Sequence, residues 1–195
     1  MRNNSLRIAV LVSGSGSNLQ ALIESQNNKF FSSRIEIVIS DNSASYALER
    51  AQEAGIETRV INNDNDLLDI LIDRKIDLLV LAGYLKIIST EVIKKYQNMI
   101  INIHPSLLPK YGGKGMYGMH VHRAVYKSGE TESGATVHKV TDVVDGGDII
   151  IQEKIDITDC ASAEDIQKKV LTVEHGILKK AIKIMENNYN GNVNL

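Results

Sequence analysis

A single cysteine, Cys160, stands in 195 residues. One thiol cannot close an internal disulfide, and it excludes a structural zinc site built on two or more thiolates. Proline is nearly as scarce: Pro105 and Pro109 are the only two, and they frame one short run. An excess of charge of one sign is missing as well. Lys plus Arg number 22 against 24 Asp plus Glu, a formal net charge of −2. That balance argues against broad, sequence-independent nucleic-acid binding, which needs a dense basic surface. No apolar run nears the ~20 residues that span a membrane. Met1 to Ser5 lead straight into a strand-like segment, without the apolar stretch and small-residue cleavage site of a secretory signal. What is present, 43% hydrophobic and 24% charged residues, matches an ordinary globular chain whose length suits one continuous core. The expectation is a cytoplasmic, single-domain protein.

Two periodicities alternate through the first half. Leu6–Val12, Ile35–Ser40, Glu57–Ile61, Asp77–Ala82 and Met99–Ile103 read as short buried strands rich in Ile, Val and Leu. Between them, Asn18 to about Asn27, Ser45–Ala54, Leu67–Lys75 and Glu91–Tyr96 read as helices, with Gly55 just past the end of the second. Strand and helix alternating at this spacing predict right-handed βαβ units and a parallel sheet. The second half differs. A glycine-rich segment after His104 leads to a short helix, Val121–Lys127, and then to strands Ala135–Val140 and Asp148–Asp156. Asp145-Gly146-Gly147 makes a turn between those strands, so they could pair antiparallel. A last helix starts at Ser162, with Asp165 as a capping partner, and runs to about Asn187, before a polar end expected to fray. The predicted fold is a three-layer α/β, Rossmann-like sheet, parallel first and mixed later.

Ser13-Gly14-Ser15-Gly16-Ser17-Asn18 joins the first strand to the first helix. Glycines there let backbone approach a ligand, and the helix N-terminus offers unpaired N–H groups to an anion. A dinucleotide fingerprint fits only halfway, because Leu19 stands where its third glycine would be. No Gly-Lys-Ser/Thr follows, which excludes a P-loop. A single phosphate, held by the Gly16 to Asn18 amides and the Asn18 side chain, fits better; the alternative is a tight turn that binds nothing. Asp41 reads as a turn residue in preference to a ribose ligand.

The richest stretch is Asn102-Ile103-His104-Pro105-Ser106-Leu107-Leu108-Pro109. Residues i and i+2 of a strand share a face, so Asn102 and His104 point to one place at the strand's carboxyl end. That is the ligand crevice of open α/β sheets. An amide beside an imidazole suits a developing oxyanion and a moving proton. Asp145, on its glycine-flanked turn, can orient or charge the histidine.

These landmarks carry a resemblance. Val12 to Gln20, Leu81-Ala82-Gly83-Tyr84, Asn102 to Pro109, His120-Val121-His122, Val140 to Gly147 and Glu174-His175 together resemble the phosphoribosylglycinamide formyltransferase (GAR transformylase) family, folate-dependent enzymes of purine synthesis. The resemblance covers essentially the whole chain. It implies formyl transfer from 10-formyltetrahydrofolate, a co-substrate, to the amine of 5′-phosphoribosylglycinamide, without a metal. It implies Asn102, His104 and Asp145 as catalytic residues. Gly16, Ser17, Asn18, Leu19, Gln20 and Glu174 would bind the ribonucleotide. Leu85, Lys86, Ile87, Ile88, Asn102, Thr141, Asp142, Val143, Val144 and Asp145 would bind the folate. Residues 1–103 would form the phosphate-binding half and 104–195 the folate-binding and catalytic half. Small-molecule substrates are the expected partners, with no nucleic acid or membrane, in a monomer or homodimer.

The sequence departs from that pattern twice. Gly112 to Met119 replaces a shorter Pro-Gly link, and no arginine lies in Asn62 to Asp66. Four glycines in the longer loop suggest a lid that closes over ligand, with Tyr117, Met116 and Met119 covering apolar folate surface. His120 and His122 lack a convincing third metal ligand, and Cys160 lacks a cationic partner that would make its thiol reactive. Three other functions stay open: methionyl-tRNA formyltransferase, which adds a C-terminal domain; formyltetrahydrofolate hydrolase (deformylase), which adds an N-terminal one; and a non-catalytic nucleotide-binding module.

Overall fold

The structure is a computed structural model that describes residues 5–191. Its first half runs β1 (Arg7–Val12), α1 (Ser17–Asn27), β2 (Arg34–Ser40), α2 (Tyr46–Glu53), β3 (Glu57–Val60), α3 (Asp64–Asp73), β4 (Leu78–Leu81), α4 (Thr90–Lys95) and β5 (Ile100–His104). The second half adds α5 (Met119–Lys127), β6 (Glu132–Lys139), β7 (Ile149–Asp156) and α6 (Ala163–Gly191). All seven strands join one sheet in the order β3-β2-β1-β4-β5-β6-β7. Pairs among β1 to β5 are parallel, whereas β5–β6 and β6–β7 are antiparallel. The parallel-then-mixed sheet matches the pattern of the sequence.

Period-2 alternation explains the layers. Ile8, Val10 and Val12 of β1 face a core completed by Leu19, Leu22, Ala47, Val121, Val125, Ile166 and Ile177 from α1, α2, α5 and α6. Ala9 and Leu11, the intervening residues, face a second core with Leu67, Leu71 and Val92 from α3 and α4. Strands covered on both sides must be apolar on both, which is why residues 8–12 of β1 and all of β4 read as unbroken apolar runs. Among the described residues no helix is long and apolar enough to cross a membrane.

Some boundaries move for local reasons. α3 begins at Asp64, three residues before Leu67, because the Asn63 side chain accepts a bond from Asp66 N at 3.0 Å and caps the helix there. β6 begins at Glu132, since Glu132 to Gly134 pair with Asp156 to Lys154. β5 includes His104, which pairs with Thr136. Ser162 Oγ accepts from Asp165 N at 3.1 Å and starts α6 as expected. That helix continues to Gly191, past Asn187, so the polar end is helical this far; residues 192–195 lie outside the described residues.

Chain direction then locates the site. From β1 the chain steps outward to β2 and β3, and returns to β4 on β1's other side. Loops leave β1 and β4 in opposite directions, which opens a crevice at the carboxyl ends of these strands. Ser13 N donates to Gly83 O across it at 3.1 Å.

Candidate active site

A cleft of about 650 Å³ occupies this crevice, walled by the loops after β1, β4 and β5, the turn before β7, and helices α5 and α6. Its first wall is the glycine loop. Gly16 caps α1 in a left-handed conformation, φ 73°, and a Cβ there would lie 2.5 Å from Ala47 Cβ. Only glycine permits both the turn and the close approach of α1 to α2. Ser13 Oγ donates to Asp41 Oδ1 at 2.6 Å, and Lys86 Nζ stands 3.8 Å from Asp41 Oδ2. Asp41 therefore braces the loop, as a turn residue should.

The structure divides the six expected ribonucleotide residues. Gly16, Ser17, Asn18 and Glu174 line the cleft. Leu19 is fully buried in the core, and Gln20 bonds Glu24 and Arg50, so their side chains turn away. The Gln20 amide is also taken, since its N–H donates to Gly16 O at 2.9 Å. The Asn18 side chain has a protein partner as well: its Nδ2 donates to Glu174 Oε2 at 2.7 Å. That carboxyl is 8% exposed. Burial pushes its pKa up to about 7, against the opposing pull of the Asn18 bond.

The catalytic candidates meet at the end of β5. Asn102 and His104 both line the cleft, with Asp145 beside them. His104 Nε2 lies 2.8 Å from Tyr111 O, so that nitrogen carries the proton and donates. Its Nδ1 then faces Asp145 Oδ2 at 3.5 Å. Burial lowers the His104 pKa; the Asp145 carboxylate and the Tyr111 carbonyl oppose this but do not reverse it. Asp145 is held on a turn whose φ is 56°. Next to it, a Cβ on Gly147 would lie 1.9 Å from Lys139 O, so glycine lets the turn press onto β6. Burial would raise the Asp145 carboxyl. The His138 bond, positive charge at His104 and the Gly113 N–H, donating at 2.9 Å, outweigh it and hold the group below the ordinary value.

His138 escaped the sequence reading. It pairs directly opposite Asn102 across β5 and β6. Its Nδ1 donates to Lys139 O at 2.8 Å. In the neutral ring Nε2 then accepts from Asn102 Nδ2 at 3.1 Å; in the protonated ring it donates toward Asp145 Oδ1 at 3.4 Å. The signal lay in β6: Thr136 and His138 share a face, but finding it required knowing that β6 pairs with β5.

The two loop histidines separate. On α5, residues i and i+2 point in different directions. His120 is exposed, edge-on to Tyr117 at 5.1 Å, while His122 is buried against the cleft. Among the described residues no group of three His, Cys, Asp or Glu could hold a metal ion. Burial raises the Cys160 thiol pKa, which keeps it from being a ready nucleophile.

Apolar side chains mark the cleft's outer part. Leu85, Ile87, Val143 and Val144 line it while exposed by 58%, 72%, 67% and 41%. Exposed apolar groups around one opening form a surface for a flat, apolar ligand. Lys86, the buried Ile88 and Thr141 join them in the lining, whereas Asp142 does not. Gly113 to Gly118 of the long loop also border the cleft, including Met116 and Tyr117; Met119 begins α5 outside it.

Comparison with known proteins identifies the family and the fold. Residues 6–182 match the formyl transferase family. The chain is 38% identical over 181 residues to phosphoribosylglycinamide formyltransferase of Escherichia coli, covering 88% of this chain and 83% of that protein. It is 37% identical over 188 residues to the trifunctional purine biosynthetic protein adenosine-3 of Homo sapiens, covering 92% of this chain. There it spans only 18% of the relative's length. Glycinamide ribonucleotide transformylase 1 of Symbiobacterium toebii superposes with a TM-score of 0.90 at 34% identity, over 96% of this chain and 90% of that one. With the family matched along all seven strands of its sheet, this chain belongs to the formyl transferases.

Proposed function

We propose that this chain transfers the formyl group of 10-formyltetrahydrofolate to the amine of 5′-phosphoribosylglycinamide, giving the formylated ribonucleotide and tetrahydrofolate. The observation that carries the reading is the meeting of Asn102, His104 and Asp145 at the end of β5, between the glycine loop and the apolar opening. The glycine loop has no acidic residue in the first turn of α1 to repel a phosphate. Glu174 and Asn18 stand beside it for the sugar. Leu85, Ile87, Val143 and Val144 offer apolar surface to the folate ring. Both substrates are small molecules.

The amine nitrogen attacks the formyl carbon, and the carbonyl oxygen takes the negative charge. Asn102 has two amide protons and spends one on His138, which leaves the other for this oxyanion. As the new C–N bond forms, the amine must lose a proton. His104 Nδ1, unprotonated and facing Asp145, accepts it directly or through one water. The imidazolium that results is balanced by the ionised Asp145, and its charge steadies the oxyanion. Collapse breaks the bond to the folate nitrogen, which takes the proton back from His104. Protons and charge balance, and no covalent enzyme intermediate is required.

A spectrophotometric assay of tetrahydrofolate release, with and without the ribonucleotide, tests the reading. Release that requires the ribonucleotide and yields its formylated form is expected. Equal release without it would assign the chain to formyltetrahydrofolate hydrolysis; no release in either case would leave a binding module.

A further inference from the structure

His122 is unused in the reaction above, yet its surroundings are unusual. Its neighbours Val121 and Val125 on α5 point into the core. The His122 ring is 2% exposed, lines the cleft, and has no hydrogen-bond partner at Nδ1. Buried polar atoms without partners are rare and costly in folded proteins. A second one lies in the same cleft: Asn18 Oδ1 is also buried without a partner. Two such atoms around one opening point to a ligand with polar groups of its own, and Nδ1 can accept from it when the ring carries its proton on Nε2. The ring is neutral at physiological pH, since burial, and then the charge of His104, push its pKa down to about 4. A neutral imidazole suits a neutral donor. A half-turn about the broad Cβ–Cγ torsion chooses which ring atoms face the cleft.

We propose that His122 is a further substrate-binding residue, whose ring nitrogen accepts a hydrogen bond from the carboxamide N–H of the glycinamide ribonucleotide. The assignment rests on the reaction read above. Asn18 and Glu174 mark the sugar end of the cleft, and His104, whose charge reaches His122, marks the reacting end. Between the ribose and the reacting amine, the substrate carries one neutral N–H, that of the carboxamide. His122 therefore recognises the glycinamide arm and separates this ribonucleotide from other sugar phosphates.

The test is calorimetric, on the full chain, with the ribonucleotide and with ribose 5-phosphate, which keeps phosphate and sugar but lacks the arm. His122→Leu should weaken ribonucleotide binding by about three- to tenfold, the size of one neutral hydrogen bond, and leave ribose 5-phosphate unchanged. His122→Asn and His122→Gln place an amide where Nδ1 or Nε2 stands, and one of them should restore affinity. The Michaelis constant for the ribonucleotide should follow, with kcat and the folate constant near wild type. These amide variants keep the test usable if His122→Leu fails to fold. Loss on both ligands, or restoration by neither amide, would overturn the proposal and leave a packing role. Absence of ribonucleotide binding to the wild-type chain would instead defeat the reading of the reaction.

Discussion

Asp145 and Glu174 are carboxylic acids lining one cleft, and their surroundings drive them in opposite directions. Both are shielded from water, which favours the neutral form. Glu174 has a single amide partner, Asn18, and burial wins: its pKa rises to about 7. Asp145 meets the Gly113 N–H and two imidazoles, and burial loses. The number and charge of partners, more than burial, decide which acid stays ionised. That difference separates the work. An ionised Asp145 balances a protonated His104 during transfer, while Glu174, carrying its proton about half the time near pH 7, can donate to or accept from sugar hydroxyls with less repulsion of the nearby phosphate.

The largest effect should come from removing the charge or its partner. Asp145→Asn and His104→Ala should each lower turnover by about two or more orders of magnitude in steady-state assay. Near-normal turnover in either folded variant would take that residue out of the mechanism. Glu174→Gln should behave differently. Between pH 4.5 and about 7 the folded protein holds a proton on Glu174 that the unfolded chain has released. Its burial therefore costs little near pH 4.5 and most above pH 7, about 3 kcal/mol. Urea unfolding without ligand should show the wild type losing stability relative to Glu174→Gln as pH rises through that window. Parallel curves would place the carboxyl in an ordinary environment. The smallest effect concerns the long loop, whose start and the residue before it hold both catalytic partners: Tyr111 O accepts from His104, and Gly113 N donates to Asp145. Hydrogen–deuterium exchange over Pro109 to His120 should slow when ribonucleotide and a folate analogue are both bound. Equal exchange in free and doubly liganded protein would deny the loop a gating role.

Much of this was legible in the sequence, for identifiable reasons. Buried parallel strands announce themselves as apolar runs, and Asn102 and His104 share a face by strand geometry alone. The Asp145 turn was marked by its glycines. Other features depend on pairing across distance. His138 joins the site only because β6 lies antiparallel to β5 with Asn102 opposite His138. Asn18 reads locally as a helix-start residue beside a glycine loop, and its side chain bonds Glu174, 156 residues away. No local pattern carries such a contact. The same holds for His122, whose separation from His120 follows from the helix that α5 turns out to begin at Met119.

The division between the two acids can be measured directly by carbon-13 NMR of the side-chain carboxyls across a pH titration of the folded, ligand-free protein. Glu174 should titrate with a midpoint about 7, and Asp145 below its ordinary value of 3.8. Midpoints for both between 3.8 and 4.5, the ordinary values of the two side chains, would contradict the account.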